Sequence, residues 1–207
     1  MDGNNNINLK ILTKLPNLET LIFEDYKDTK IPESVYELKT LKTLNIYFDY
    51  IDKFEIPSKI NILKLKTFRI MGVFKLKICS EIFLIKNVEI DNVERIAFPE
   101  YLTVEPTIKK LKLSKCDLYE LPYWFDELTE LKYLNLESNN FKEIPDIIFK
   151  LYNLKDLRIS GNQIIFISSE INKLKLEYLD IDTRIIINTI PKIVNNPKPY
   201  DFFEYST

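Results

Sequence analysis

The chain has 207 residues, 45% of them apolar and 29% charged, and its 29 Lys+Arg against 31 Asp+Glu leave a formal net charge of -2. That balance gives no global electrostatic reason to expect nucleic acid or an anionic membrane as partner. Histidine is absent and the three glycines, Gly3, Gly72 and Gly161, lie far apart, which excludes Ser-His and Cys-His nucleophile pairs within the chain and leaves no glycine-rich phosphate cradle.

The opening Met1-Asp2-Gly3-Asn4-Asn5-Asn6 lacks a basic stretch followed by an apolar core, so it does not read as a secretory leader. A cytoplasmic protein is expected if Met1 is the native start, and a secreted or surface-exposed one if a leader has been removed. No run of 18 consecutive apolar residues occurs, so no transmembrane span is expected. Residues 1–17 are expected to supply a half-repeat cap, in which Ile7, Leu9, Ile11, Leu12 and Leu15 can act as a lid.

From Leu18 onward one phrase recurs. Its first apolar position falls at Leu18, Leu41, Leu65, Ile85, Ile108, Leu131, Leu154 and Leu176, in steps of 23, 24, 20, 23, 23, 23 and 22 residues. A period in this range marks a solenoid. The fourth and sixth positions of each copy are apolar: Leu21/Phe23, Leu44/Ile46, Phe68/Ile70, Val88/Ile90, Leu111/Leu113, Leu134/Leu136, Leu157/Ile159 and Leu179/Ile181. Apolar residues two apart with polar neighbours predict a short strand with one buried face. Some twenty residues per copy allow the crossover that parallel strands require. At about 4.8 Å per strand, eight copies make a sheet on the order of 35–40 Å long.

The return segment carries an apolar-Pro pair at Ile31-Pro32, Ile56-Pro57, Phe98-Pro99, Leu121-Pro122, Ile144-Pro145 and Ile190-Pro191. Apolar residues follow three and six positions on, as in Val35 and Leu38, Phe125 and Leu128, Ile148 and Leu151. Proline suits the start of a helical turn. The spacing of three predicts a tight helix or 3₁₀ segment whose inner face closes the core.

The phrase Leu-x-x-Leu-x-Leu-x-x-Asn-x-Leu-x-x-Ile-Pro-x-x-Ile-x-x-Leu, filled almost completely over 108–174, resembles the leucine-rich repeat family in its 23-residue bacterial and intracellular form. The match runs roughly over residues 15 to 194. The resemblance implies an α/β solenoid, a right-handed β-α superhelix with a parallel sheet on its concave face. It also implies protein binding on that sheet. The chain is then one domain: the half-repeat 1–17, about eight repeats over 18–194, and a tail over 195–207.

The family's asparagine position bonds neighbouring backbone amides. Here it reads Tyr26, Asp49, Val73, Val93, Cys116, Asn139, Asn162 and Arg184. Asp49 and Cys116 are plausible stand-ins, whereas the two valines cannot bond amides through their side chains. An unmet buried amide costs about 1–3 kcal/mol, so water or a changed loop must compensate. The third copy is short and lacks the Ile-Pro pair, so the region 65–107 is expected to be the least regular. Cys79 and Cys116 match no zinc spacing and are expected to stay reduced. Trp124 is expected to pack on the return segment. The tail aromatics Tyr200, Phe202, Phe203 and Tyr205 either fold over the last strand or form an exposed patch for a partner or a second copy.

Polar positions between the buried ones face the concave surface, and three groups there are candidates for partner binding. Tyr47, Phe48 and Met71 form an apolar cluster beside Arg69 and Asn45. Lys110, Lys112 and Lys115 form a basic spot. Tyr133, Arg158 and Tyr178 form a ladder in adjacent copies. Tyr and Arg concentrate interface energy. Acidic Glu89, Asp91 and Glu137 flank the lysines and no aromatic series accompanies them, which argues against nucleic acid. Asp180 and Asp182 share a strand face but imply no cleft. No cofactor, metal or catalysis is expected. The expected partner is another protein, and a monomer is expected, with a homodimer through the solenoid ends or the aromatic tail as the alternative.

Overall fold

A computed structural model describes residues 9–182 of the chain. Ile7 of the lid, Arg184, the Ile190-Pro191 pair and the tail aromatics Tyr200, Phe202, Phe203 and Tyr205 lie outside the described residues. The strands are β1 (Thr20–Phe23), β2 (Thr43–Glu55), β3 (Thr67–Lys77), β4 (Asn87–Ala97), β5 (Lys110–Ser114), β6 (Tyr133–Asn135), β7 (Asp156–Arg158) and β8 (Tyr178–Asp180). They make one parallel sheet in chain order.

Register advances by one copy per strand, so the fourth position forms a column, Leu44–Phe68–Val88–Leu111–Leu134–Leu157–Leu179. Every member is buried. The column Ile46, Ile70, Ile90, Leu113, Leu136 and Ile159 beside it is buried as well. Full burial of one such side chain contributes about 1.5–3 kcal/mol. At the first and last described coils Leu21, Phe23 and Ile181 are only partly covered, as expected where stacking stops.

The return segments are 3₁₀ turns: Glu33–Glu37, Ser58–Leu63, Ser80–Leu84, Tyr123–Glu127, Asp146–Lys150 and Ser169–Lys173. In four of them the proline carbonyl opens the turn, Ile60 N–H donating to Pro57 O at 2.9 Å in the second. Val35 N–H donates to Pro32 O at 3.0 Å, Phe125 to Pro122 at 3.0 Å and Ile148 to Pro145 at 2.9 Å. Leu38, Leu128 and Leu151 then donate three residues back. Two inward residues three apart are all that each turn must bury, and i→i+3 geometry places them on one face. Trp124 packs there, 1% exposed. Its indole donates to Pro99 O at 2.8 Å, and its ring meets Phe83, Phe98 and Phe125.

Region 65–107 does not behave as the sequence suggests. It carries two of the three longest strands, β3 and β4, each of 11 residues. β2–β4 continue past the concave sheet into second arms, which pair as Ile51↔Val73↔Val93, Lys53↔Lys75↔Arg95, Phe54↔Leu76↔Ile96 and Glu55↔Lys77↔Ala97. The strand ladder thereby takes over backbone pairing where valine occupies the asparagine position. Beyond the short connections, only the last stretch of this region, which runs on to 109 as the connection 98–109, lacks both strand and 3₁₀ structure. Asp49 is not a buried stand-in. The register shifts between Tyr47 and Ile51, and Asp49 is exposed on the resulting bulge.

Each coil turns at its eighth position through a left-handed residue: Asp25, Gly72, Asn92, Lys115, Ser138 and Gly161 all have positive φ. The bulge of β2 replaces this corner in the second copy. At Gly72, φ is +78° and an added Cβ would lie 2.1 Å from Phe48 O. Gly72→Ala is therefore expected to cost about 3 kcal/mol in a denaturant titration, through strain and a backbone clash. Lys115→Gly, which relieves a left-handed side-chain penalty, is expected to be neutral or stabilising by up to about 1 kcal/mol.

Candidate functional site

The concave face is built by β1–β8 from the residues between the buried columns. Its fifth position runs Asn45–Arg69–Glu89–Lys112–Asn135–Arg158–Asp180 in register. Stacked neighbours stand about 4.8 Å apart, so opposite charges in successive copies meet directly.

In the middle of the face they do. Arg69 Nε donates to Glu89 Oε2 at 3.0 Å and its Nη1 to Asn45 Oδ1 at 3.4 Å. Lys112 Nζ donates to Glu89 Oε1 at 2.6 Å and lies 3.5 Å from Asp91 Oδ2. Ser114 Oγ donates to Asp91 Oδ1 at 2.6 Å. Burial works against the charge on Lys112, but the hydrogen bonds and charges of Glu89 and Asp91 outweigh it and raise its pKa.

This geometry corrects two of the expected groupings. Phe48 is not on the concave surface. The β2 bulge turns it into the core, 5% exposed, between Tyr26 and Phe54 at ring separations of 5.6 and 5.2 Å. Asn45 and Arg69 lie on the face but are buried within the charge column. Tyr47 and Met71 remain there as half-buried register partners. The three lysines do not make one basic spot. Lys112 is neutralised by two carboxylates, Lys110 is half-buried on β5, and Lys115 is exposed at the left-handed corner.

Tyr133, Arg158 and Tyr178 do come together. The Arg158 guanidinium lies 5.2 Å from the Tyr133 ring centroid and 4.9 Å from that of Tyr178. Its Nε and Nη2 donate to the two oxygens of Asp156, at 3.2 and 3.3 Å. Burial raises the pKa of Asp156, the Arg158 hydrogen bond and charge oppose that shift, and Asp180 and Glu137 reinforce it. Around this stack, Ser160 Oγ donates to Asp180 at 3.0 Å, and Gly161 N–H donates to both oxygens of Asp182, at 3.2 and 3.0 Å. Asp180 and Asp182 are thus held by structural hydrogen bonds. Asp156, Glu89 and Asp91 were not singled out as binding candidates by the sequence reading. Alternation of sign along the fifth position, Arg69, Glu89 and Lys112, is the signal that finds Glu89.

The asparagine position works as its residue types allow. Asn139 Oδ1 accepts from the amides of Cys116 and Leu118, at 3.0 and 3.1 Å, and its Nδ2 donates to Leu113 O and Leu136 O, at 2.7 and 2.9 Å. Asn162 repeats the pattern with Phe141 N–H, Leu136 O and Ile159 O. Cys116 Sγ donates to Ser114 O at 3.1 Å and to Ile90 O at 3.5 Å. Both cysteines are free. Burial raises the thiol pKa to about 11 at Cys79 and about 12 at Cys116, well above the range of a reactive thiol. Among the described residues no group of acidic residues or cysteines is arranged to hold a metal ion, and no helix is long and apolar enough to cross a membrane.

The profile of the family described as leucine rich repeat matches residues 129–183. An adenylate cyclase of Schizosaccharomyces pombe is 33% identical over 101 residues, which is 48% of this chain and 6% of that protein. The human volume-regulated anion channel subunit LRRC8B is 29% identical over 170 residues, covering 75% of this chain and 20% of that one. The chain thus spans a fifth or less of the length of these two relatives. Among solved structures, a leucine-rich repeat protein of Leptospira interrogans superposes with a TM-score of 0.61 at 23% identity, over 87% of this chain and 52% of that one.

The charge column makes Arg69 structural. Its side chain is 8% exposed against 19% for Glu89, so Arg69→Ala takes one of two cations from a half-buried carboxylate and leaves Lys112 as the other. A loss of about 2 kcal/mol is expected in chemical denaturation. Removing the exposed Lys77–Glu55 pair is expected to cost no more than about 0.5 kcal/mol.

Proposed function

We propose that this leucine-rich repeat solenoid is a non-catalytic protein-binding module whose recognition surface is the C-terminal half of the concave sheet. The observation that carries this reading is the Tyr133–Arg158–Tyr178 stack. Two aromatic rings held against a guanidinium on an open sheet offer large contact area at little further loss of side-chain freedom. Asp156 fixes the arginine through two hydrogen bonds, so the stack is preorganised. Each cation–π contact is worth about 0.5–2 kcal/mol, the upper end applying once a partner excludes water.

Charge narrows the class of partner. Glu137, Asp156, Asp180 and Asp182 surround the single cation Arg158 on these strands. A surface of this kind favours a protein that presents basic side chains around an apolar or aromatic centre. The middle of the face, where Arg69, Glu89, Lys112 and Asp91 satisfy one another, supports the stack as scaffold.

Tyr133→Ala combined with Tyr178→Ala is expected to weaken capture of the protein partner by about 30-fold or more, the loss of at least one hot spot. The thermal midpoint should hardly change, because both rings are only half-buried. Binding measured against the partner isolated from source cells checks this. Undiminished capture by the double variant would move recognition off this part of the sheet.

A further inference from the structure

Away from the concave face, the second arms of β2–β4 build a flank with an unusual charge pattern. Lys53, Lys75 and Arg95 occupy paired positions on three adjacent strands, and all three are exposed. Like charges directly opposite one another destabilise a sheet. No carboxylate lies within ion-pair reach of any of the three among the described residues. Instead, Lys75 Nζ and the Arg95 guanidinium converge on one ring, 5.2 and 5.5 Å from the centroid of Phe74. Tyr50, 65% exposed, lies 6.4 Å from the same ring.

These cations line a groove of about 720 Å³ between the arms and the first return segment. Lys30, Lys59 and Lys77 line it too, and its only two carboxylates, Glu33 and Glu55, are already paired with Lys59 and Lys77. Lys30, Lys53, Lys75 and Arg95 are left as a local positive excess in a chain whose net charge is -2. The contacts with Phe74 offset part of the like-charge repulsion, and an anionic ligand would relieve the rest.

We propose that this groove docks an acidic peptide segment of a partner protein, laid across the second arms with its carboxylates on Lys53, Lys75 and Arg95. Glu33 and Glu55 on the wall select a peptide over a nucleic acid. A continuous phosphate chain must pass both carboxylates, whereas a peptide can place an uncharged residue beside each. Tyr50 and Phe74 stand outside the groove lining, beside Lys75 and Arg95, and offer an apolar contact for one side chain at its edge. The site is separate from the concave stack, so each can fail without the other.

The test is fluorescence anisotropy of the full chain with a labelled peptide that alternates Glu and Gly around one central Phe. Saturable binding that weakens with salt is expected. It should fall about tenfold or more in Lys75→Glu/Arg95→Glu, which is one factor of ten per 1.4 kcal/mol. Tyr133→Ala/Tyr178→Ala should leave it unchanged. Lys53→Gln/Lys75→Gln, which keeps the arms uncharged, should show the same direction of loss if the double reversal fails to fold. No binding of the peptide, equal binding by its Glu→Gln counterpart, or equal affinity in the charge variants would overturn the proposal. So would tighter binding of a single-stranded oligonucleotide of the same charge.

Discussion

Every coil of this solenoid has to pair the backbone amides at the bend where the chain leaves the concave sheet. An unmet buried amide costs about 1–3 kcal/mol, and stacking repeats that cost coil after coil. The chain meets the demand in two ways. In the C-terminal half a side-chain amide, Asn139 or Asn162, reaches from one coil into the next. In the second to fourth copies the strand itself runs on through the bend, and the arms Ile51–Glu55, Val73–Lys77 and Val93–Ala97 pair with one another. Cys116 stands at the junction: its amide is taken by Asn139, while its thiol donates back to Ile90 O.

The choice of solution sets which surfaces are available. Where asparagine serves, the strands are short and the concave face alone is sheet. The Tyr133–Arg158–Tyr178 stack sits there. Where the strand continues, a second sheet flank appears with its own outward row, and the cations Lys53, Lys75 and Arg95 occupy it. Between these regions the column Arg69–Glu89–Lys112 pins the concave face with internal ion pairs. Its charges are spent on one another, which leaves the two ends of this pattern as the proposed recognition surfaces.

The sequence was most legible where one residue type does one job. Leucines two apart gave the parallel sheet, and apolar-Pro pairs with a spacing of three gave the 3₁₀ turns. The stack was legible as well, because Tyr133, Arg158 and Tyr178 lie at concave positions of successive copies. Phe48 was misplaced because the 24-residue copy hides a bulge, and one extra residue reverses which face a side chain takes. Val73 and Val93 read as defects when the asparagine ladder is taken as the only answer. Read as β-branched residues in an alternating stretch, they announce a longer strand. Arg69 and Lys112 read as binding candidates because the flanking Glu89 does not show, from one strand, that it bonds both of them across adjacent coils.

Amide hydrogen exchange tests most directly the claim that strand continuation replaces the asparagine ladder. The second arms should be protected as well as the amides of Cys116 and Leu118, slowed by about a thousandfold or more over open loops. In Asn139→Ala, protection should drop at Cys116 and Leu118 and persist at Leu76 and Ile96. Second arms that exchange as fast as the connection 98–109 would contradict the account, because the valine coils would then have no partner for their buried amides.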